Sequence, residues 1–290
     1  MSRRYGREVI AILGGLGAAL SWAVTTLTAS RASREIGSYS TLAWVMLTGL
    51  LVVAPVAAAQ GKPDGLDQGT LRWLAVAGAG NILGLLLVYT GLKIGKVGVV
   101  APISSAEGAV AAVIAVAAGE HLGVWTAVAL GVIAIGVVLA ARPPTELAEE
   151  GGDDPRAAFF GLGAACLFGV GLYATGKASL SLPISWAVLP PRLLGVLAFT
   201  IPLALLGRLR LTRTAAPFVV GSGLAEVSGF VSYSLGARHG IAVAAVLASQ
   251  FAAVATVAAA LLFHERLRKT NWVGVVVIAV GVAVVSLLNA

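Results

Sequence analysis

Charge is scarce in this sequence: Asp, Glu, Lys and Arg make up 11% of 290 residues, against roughly 25% in an average soluble domain. Together with 58% hydrophobic residues, that scarcity excludes an ordinary soluble fold and leaves an integral membrane protein. Cysteine is nearly absent. The single Cys166 lies within an apolar run, which excludes an intrachain disulfide and a cysteine metal cluster. Three histidines leave little for a metal site, and no metal or cofactor is expected. Alternation of period two is also scarce, which favours a helical bundle over a membrane β-barrel. Enzyme signatures fail on inspection. His264-Glu265-Arg266-Leu267-Arg268 lacks the second His of a zinc-protease helix, no Gly-rich run completes a dinucleotide fingerprint, and no phosphate loop ends in Gly-Lys-Ser/Thr. The chain is read as a non-enzyme. A formal charge of +7 is spread singly between apolar runs, so nucleic acid is not an expected partner and anionic lipid headgroups are the natural counter-charge.

What the sequence holds is apolar length. Ten segments are each long enough to span a bilayer, at about 9–29, 40–59, 71–91, 97–118, 122–141, 157–177, 184–206, 216–236, 242–263 and 271–289. The first follows Arg3, Arg4 and Arg7 and far outruns the roughly 7 to 15 apolar residues of a secretory signal, so it reads as a retained helix. The expected fold class is an all-α polytopic membrane protein of ten transmembrane helices.

The longest polar connection carries Glu146, Glu149, Glu150, Asp153 and Asp154 and divides the chain into residues 1–141, a linker 142–156, and residues 157–290. The two parts echo each other. Gly15-Leu16-Gly17-Ala18-Ala19 returns as Gly161-Leu162-Gly163-Ala164-Ala165, and Gly91, Gly95, Glu120 and Gly136 return 145 residues later as Gly236, Gly240, Glu265 and Gly281. A duplicated five-helix unit explains this. Because five is odd, the second unit enters the bilayer in the opposite sense, giving two inverted five-helix repeats.

Three formal charges sit well inside predicted spans: Glu107 in the fourth, Arg192 in the seventh and Glu226 in the eighth. An ionisable group in hydrocarbon is costly, so such residues face protein or water and are functional candidates by default. The stretch Val97 to Glu120 is central, with Pro102 near its start and Ser104-Ser105-Ala106-Glu107-Gly108 at its middle. At an offset of 145, Asn81 is the mate of Glu226 and Ser105 the mate of Gln250. The expected substrate-binding set is Trp22, Asn81, Tyr89, Ser104, Ser105, Glu107, Tyr173, Glu226, Tyr233 and Gln250, with Arg192 and Pro102 in structural or charge-pairing roles. The aromatics supply flat walls with a polar handle. A mid-membrane Glu can exchange a proton or hold a substrate ammonium, which makes a proton the candidate coupling ion. Two readings stay open for Glu107 and Glu226: cavity groups, or interhelical glue with Arg192 neutralising one of them. Trp44, Trp73, Trp125, Trp186 and Trp272 fall near span ends, as in an interfacial aromatic belt. Gly80 with Gly84, Gly91 with Gly95, and Gly236 with Gly240 have the spacing of close helix packing. The aliphatic fifth and tenth spans look peripheral or dimer-forming, so the protein is expected as a monomer or weak homodimer.

The duplicated unit, Ala18-Ala19-Leu20-Ser21-Trp22 in the first span, and Gly119-Glu120-His121-Leu122 and His264-Glu265-Arg266-Leu267 closing the fourth and ninth spans resemble the ten-helix EamA-domain exporters of the drug/metabolite transporter superfamily. Arg192 falls where many members carry an Arg early in the second helix of a repeat. The first half departs, with Val45 or a neighbour there, and Pro102 has only Leu247 as mate. The resemblance implies ten helices and a central cavity lined by the first, third, fourth, sixth, eighth and ninth. It further implies export of small metabolites such as amino acids across the cell (inner) membrane, as aromatic and broad-specificity amino-acid exporters do. Glu120 and Glu265 would be structural turn residues. Both termini would be cytoplasmic. The Lys and Arg distribution points the other way, with triplets at Arg208, Arg210, Arg213 and at Arg266, Arg268, Lys269 on the side opposite the N-terminus. The alternative in another functional class is a non-transporting assembly or lipid-interacting subunit.

Overall fold

The structure is a computed structural model that describes residues 2–94, 100, 103–140, 156–263 and 269–288. Among the described residues there are helices and no strands. In chain order they are α1 (Ser2–Ile36), α2 (Ser38–Gln60), α3 (Gln68–Ile94), α4 (Glu107–Ala117), α5 (Val124–Ala140), α6 (Arg156–Ser181), α7 (Ile184–Leu205), α8 (Ala216–Ala237), α9 (Ile241–Ala248), α10 (Phe251–Phe263) and α11 (Lys269–Leu288). Six of them, α1, α2, α3, α6, α7 and α8, are long and apolar enough to cross a membrane. Helix is the form that satisfies backbone donors and acceptors within one segment, as hydrocarbon demands. The chain is a multi-pass membrane protein.

Local sequence sets the ends. At the start of α3, Asp67 Oδ1 accepts the Thr70 N–H at 2.7 Å while Thr70 Oγ1 accepts the Asp67 N–H at 3.0 Å, a reciprocal capping box. At the end of α4, Gly119 takes φ +96°, and the Glu120 N–H reaches back to the Ala115 carbonyl at 2.9 Å. That left-handed turn, open to glycine without strain, fixes where Glu120 points. Within α7, Val196–Thr200 form one π-helical turn just before Pro202, whose missing N–H already interrupts the ladder. The Thr200 hydroxyl there donates to the Ala43 carbonyl of α2 at 2.9 Å.

The fourth and ninth apolar segments are not continuous helices. The expected run from 97 to 118 turns at Ser105–Ala106 before α4, and the run from 242 to 263 turns at Ser249–Gln250 between α9 and α10. The i→i−3 bonds Ala106 N–H to Ile103 O at 3.1 Å and Gln250 N–H to Leu247 O at 3.3 Å tighten the chain at both places. Serine drives the second turn: Ser249 Oγ donates to the Val246 carbonyl at 2.9 Å, a local bond that competes with the helix. Glu107 is therefore the first residue of a helix rather than its middle. Broken apolar helices are tolerated where their freed polar groups face protein or a cavity.

Helices from the two parts of the chain pack reciprocally. α1 lies along α8, α3 along α6, α4 against α9, and α5 against α11. Small residues allow each approach. A Cβ on Gly14 would stand 2.5 Å from Gly236 Cα, one on Gly80 3.0 Å from Gly171 Cα, and one on Gly274 2.7 Å from the Gly136 carbonyl. On Gly108 it would stand 2.5 Å from both the Ala245 carbonyl and Ser249 Oγ, so the two broken helices cross at their turns. The α5–α11 pair is tied by Asn271, fully buried, whose Nδ2 donates to the Ala140 carbonyl at 3.0 Å. Its outer face exposes Val128, Val132, Ile135, Trp272, Val276 and Val280, which suits lipid.

Candidate functional site

A cavity of about 180 Å³ lies where α1, α3, α4, α6, α8 and α10 meet. Those helices belong to the first, third, fourth, sixth, eighth and ninth apolar segments. α1 contributes Trp22, Thr25 and Thr26; α3 contributes Ala77, Asn81 and Leu85; α4 contributes Glu107. Opposite them stand Phe168, Gly171, Leu172 and Thr175 of α6, Glu226 and Phe230 of α8, and Phe251 at the start of α10.

Glu107 is brought to the wall by the turn at Ser105–Ala106 and by Gly169, where a Cβ would stand 2.8 Å from the Glu107 carbonyl. The residue is 7% exposed, and among the described residues no hydrogen bond or ion pair holds the carboxylate. Glu226 is also 7% exposed but is differently placed, because Arg192 Nη2 donates to its Oε2 in a buried ion pair. Arg192 is fully buried; Nη1 donates to the Val188 carbonyl at 2.8 Å, and the guanidinium lies over the Phe230 ring at 4.4 Å. The two membrane-embedded glutamates thus differ in kind. One is neutralised by a partner and the other is not.

Trp22 is the aromatic hub. Phe230 meets it edge-on at 5.0 Å, Phe251 edge-on at 6.1 Å, and Tyr233 at 6.3 Å. Among the described residues its indole N–H has no partner, and it lies against Gly229, where a Cβ would come within 2.3 Å of Nε1. Tyr233 is fully buried behind it, donating from its hydroxyl to the Leu172 carbonyl at 2.8 Å.

Of the sequence candidates, Trp22, Asn81, Glu107 and Glu226 share the cavity wall. Tyr173, Tyr233, Ser105 and Gln250 are buried beside it without lining it, and Ser104 is half-buried at the turn. Tyr173 packs edge-on to Trp73 at 5.6 Å instead. The Tyr89 side chain, Pro102 and Glu265 lie outside the described residues. Sequence reasoning missed Thr25, Thr26, Phe168, Thr175, Phe230 and Phe251. A usable signal existed for three of them, since Thr25 and Thr26 follow Trp22 by one turn, and Phe230 follows Glu226 by one turn.

No group of three or more His, Cys, Asp or Glu that could hold a metal occurs among the described residues. At the end of the bundle near α4, Glu120 caps another helix: its carboxylate oxygens accept the N–H groups of Ile241 and Ala242, both at 3.1 Å. Burial pushes the Glu120 carboxyl above the usual range, and these two N–H groups only partly offset that.

No curated protein sequence matches the chain. Among solved structures, 24 chains match. One of them, described only as the crystal structure of a protein, superposes with a TM-score of 0.76 at 18% identity over 96% of each chain, a likeness of fold. The model of the EamA-like transporter family matches residues 9–142 and 155–287. On that match, which takes in both parts of the chain, the protein belongs to the EamA-like transporter family of the drug/metabolite transporter superfamily.

Proposed function

We propose that the protein is a secondary transporter of the cell (inner) membrane. It exports small amphipathic metabolites, amino acids or related amines, by alternating access at the cavity around Glu107. The observation that carries this is the unpaired, buried carboxylate in an aromatic-walled cavity fed by six helices from both parts of the chain. A cavity of about 180 Å³ is below the roughly 300 to 1,000 Å³ of drug-sized sites, so its occupant is small. Ten spans arranged as two inverted repeats, 1–141 and 157–290, are supported by the reciprocal packing of α1 with α8 and α3 with α6. The paired breaks in the fourth and ninth segments support the same arrangement. Broken helices at a repeat interface are where secondary transporters place substrate. Rocking of the repeats would expose the site to either face, with a proton as the candidate coupling ion.

The Arg192–Glu226 pair taken alone would suit a non-transporting subunit whose polar groups join helices. Glu107 does not fit that role. The test is substrate-dependent flux of radiolabelled amino acids and amines in proteoliposomes, with and without a pH gradient. Flux that falls at least about tenfold in Glu107→Gln, with an unchanged gel-filtration profile, supports the proposal. Wild-type flux in that variant across a range of pH overturns it.

A further inference from the structure

The polar groups around the cavity are unbalanced in a way that bears on which metabolites fit. Arg192 does not serve an anionic ligand: it is fully buried and absent from the cavity wall, its Nη1 and Nη2 are committed to the Val188 carbonyl and Glu226, its Nε, without a partner among the described residues, lies against Gly49, and the guanidinium is stacked on Phe230. Among the described residues no other cation lines the cavity. Glu107 is left as its one uncompensated charge. The hydroxyl protons of Thr25, Thr26 and Thr175 are already donated to the carbonyls of Ser21, Trp22 and Gly171 at 3.2, 2.8 and 2.8 Å. These side chains therefore offer lone pairs to the cavity. Asn81, also on the wall, has a buried Oδ1 without a partner among the described residues. Against these acceptors the wall sets one buried donor without a partner among the described residues, the Trp22 indole N–H, and it carries one uncompensated negative charge.

From this we infer that the site takes a small monocationic amine with an aromatic or aliphatic body and no carboxylate of its own, with Glu107 as counter-ion. An ammonium has three N–H donors and no acceptor, which complements Glu107, Asn81 and the threonine oxygens. Faces of Trp22, Phe168 and Phe251 receive the apolar body and attract the cationic end. An amino acid would bring a second carboxylate into a desolvated site holding one carboxylate already and no free cation. Burying such a charge unpaired is strongly unfavourable. The inference rests on the transporter reading only in treating the cavity as the substrate site.

Three probes separate the possibilities: phenethylamine, phenylalanine, which is the same amine bearing a carboxylate, and 2-phenylethanol, which is neutral. Calorimetry on purified protein in lipid nanodiscs should show phenethylamine bound about tenfold or more tighter than either of the others. Glu107→Gln should abolish that preference. Should Glu107→Gln fold poorly, the wild-type protein supplies the same answer. Phenethylamine, and not phenylalanine, should protect Glu107 from a hydrophobic carbodiimide, read by peptide mass spectrometry. Equal or tighter binding of phenylalanine, absence of phenethylamine binding, or equal protection by both overturns the inference. Flux distinguishes this from the proposed function. Selective phenethylamine binding without flux removes the transporter reading and leaves the site assignment, whereas phenylalanine flux matching that of phenethylamine removes the amine assignment and leaves transport.

Discussion

Glu120 caps the helix that begins at Ile241, although the two residues are 121 positions apart and belong to different parts of the chain. Its two carboxylate oxygens take the first two N–H groups of α9, both at 3.1 Å, and Gly119 holds it in place through a left-handed turn. A helix N-terminus leaves such donors unsatisfied and favours negative charge nearby. The turn carrying the family-like Gly-Glu pair is thus also a joint between the two parts. Glu265, its mate at an offset of 145, lies outside the described residues.

Removing that cap should be measurable. Glu120→Ala is expected to lower stability by about 1 kcal/mol, as for loss of an N-cap, seen as a lower midpoint in thermal unfolding in detergent. Glu120→Gln keeps an acceptor oxygen and should lose less. The pH dependence has a definite sign. Because the folded-state pKa is raised above the ordinary 4.5, the stabilisation from this group is present below that value and fades as pH rises through the raised one. Wild type should therefore lose ground to Glu120→Gln as pH climbs above 4.5. A constant difference across that window would contradict the burial of this carboxyl.

The Arg192–Glu226 pair should behave as a unit. Breaking a buried pair strands a charge and typically costs about 3 to 5 kcal/mol, whereas replacing both partners costs far less. Arg192→Met and Glu226→Gln are each expected to reduce the yield of folded protein and its unfolding midpoint. The double variant should recover a large part of both. Additive losses in the double-mutant cycle would show that the two side chains do not neutralise each other.

Glu107, Glu226, Asn81 and Trp22 are legible in the sequence alone, because a charge, an amide or an indole inside an apolar run stands out against its surroundings. Phe168, Phe251 and Thr175 do not stand out. Phenylalanine and threonine are ordinary in membrane helices, and only packing decides which of them face a cavity. The turns at Ser105–Ala106 and Ser249–Gln250 were hidden for a related reason. Hydropathy counts apolar residues and cannot register one tightened turn. The partner of Arg192 was open between two glutamates for want of any distance between α7, α4 and α8. Likewise Glu120 could be read as a turn residue, but its hold on Ile241 depends on tertiary placement.

Gly108 offers a test of the crossing between the two broken helices. Gly108→Ala would drive a Cβ to 2.5 Å from the Ala245 carbonyl and Ser249 Oγ, so α4 and α9 must separate and the wall bearing Glu107 must shift. Folded yield and flux should both fall. Gly131→Ala in α5 is the control. Among the described residues no atom lies within 4 Å of the added Cβ, and alanine is the better helix former by up to about 1 kcal/mol. Its stability should equal or exceed wild type, and a loss there as large as at Gly108 would mean that crowding is not the cause.

Orientation in the bilayer sets the family pattern against the distribution of charge, and the structure fixes which residues must travel together. Trp44 Nε1 donates to the Arg210 carbonyl at 2.9 Å, the Arg210 N–H donates to Ser40 Oγ at 3.2 Å, and Glu35 accepts from Thr212 and Thr214. The end of α1, the start of α2 and the basic loop with Arg208, Arg210 and Arg213 therefore share one face. Gly65 lies against the Ser181 carbonyl, where a Cβ would stand at 2.6 Å, and Trp186 Nε1 donates to the Gly61 carbonyl at 3.1 Å, so those loops share the other. The positive-inside rule would make the arginine face cytoplasmic. The family pattern makes it the outer face and leaves the termini inside, and that is the expected outcome, since short tight turns are stitched by hydrogen bonds whichever way they face. In a Cys166→Ala background, a membrane-impermeant maleimide added to intact cells should label Glu150→Cys and spare Ser2→Cys until the membrane is permeabilised. Labelling of Ser2→Cys from outside, with Glu150→Cys protected, would place the arginine face in the cytoplasm and reverse every assignment of direction.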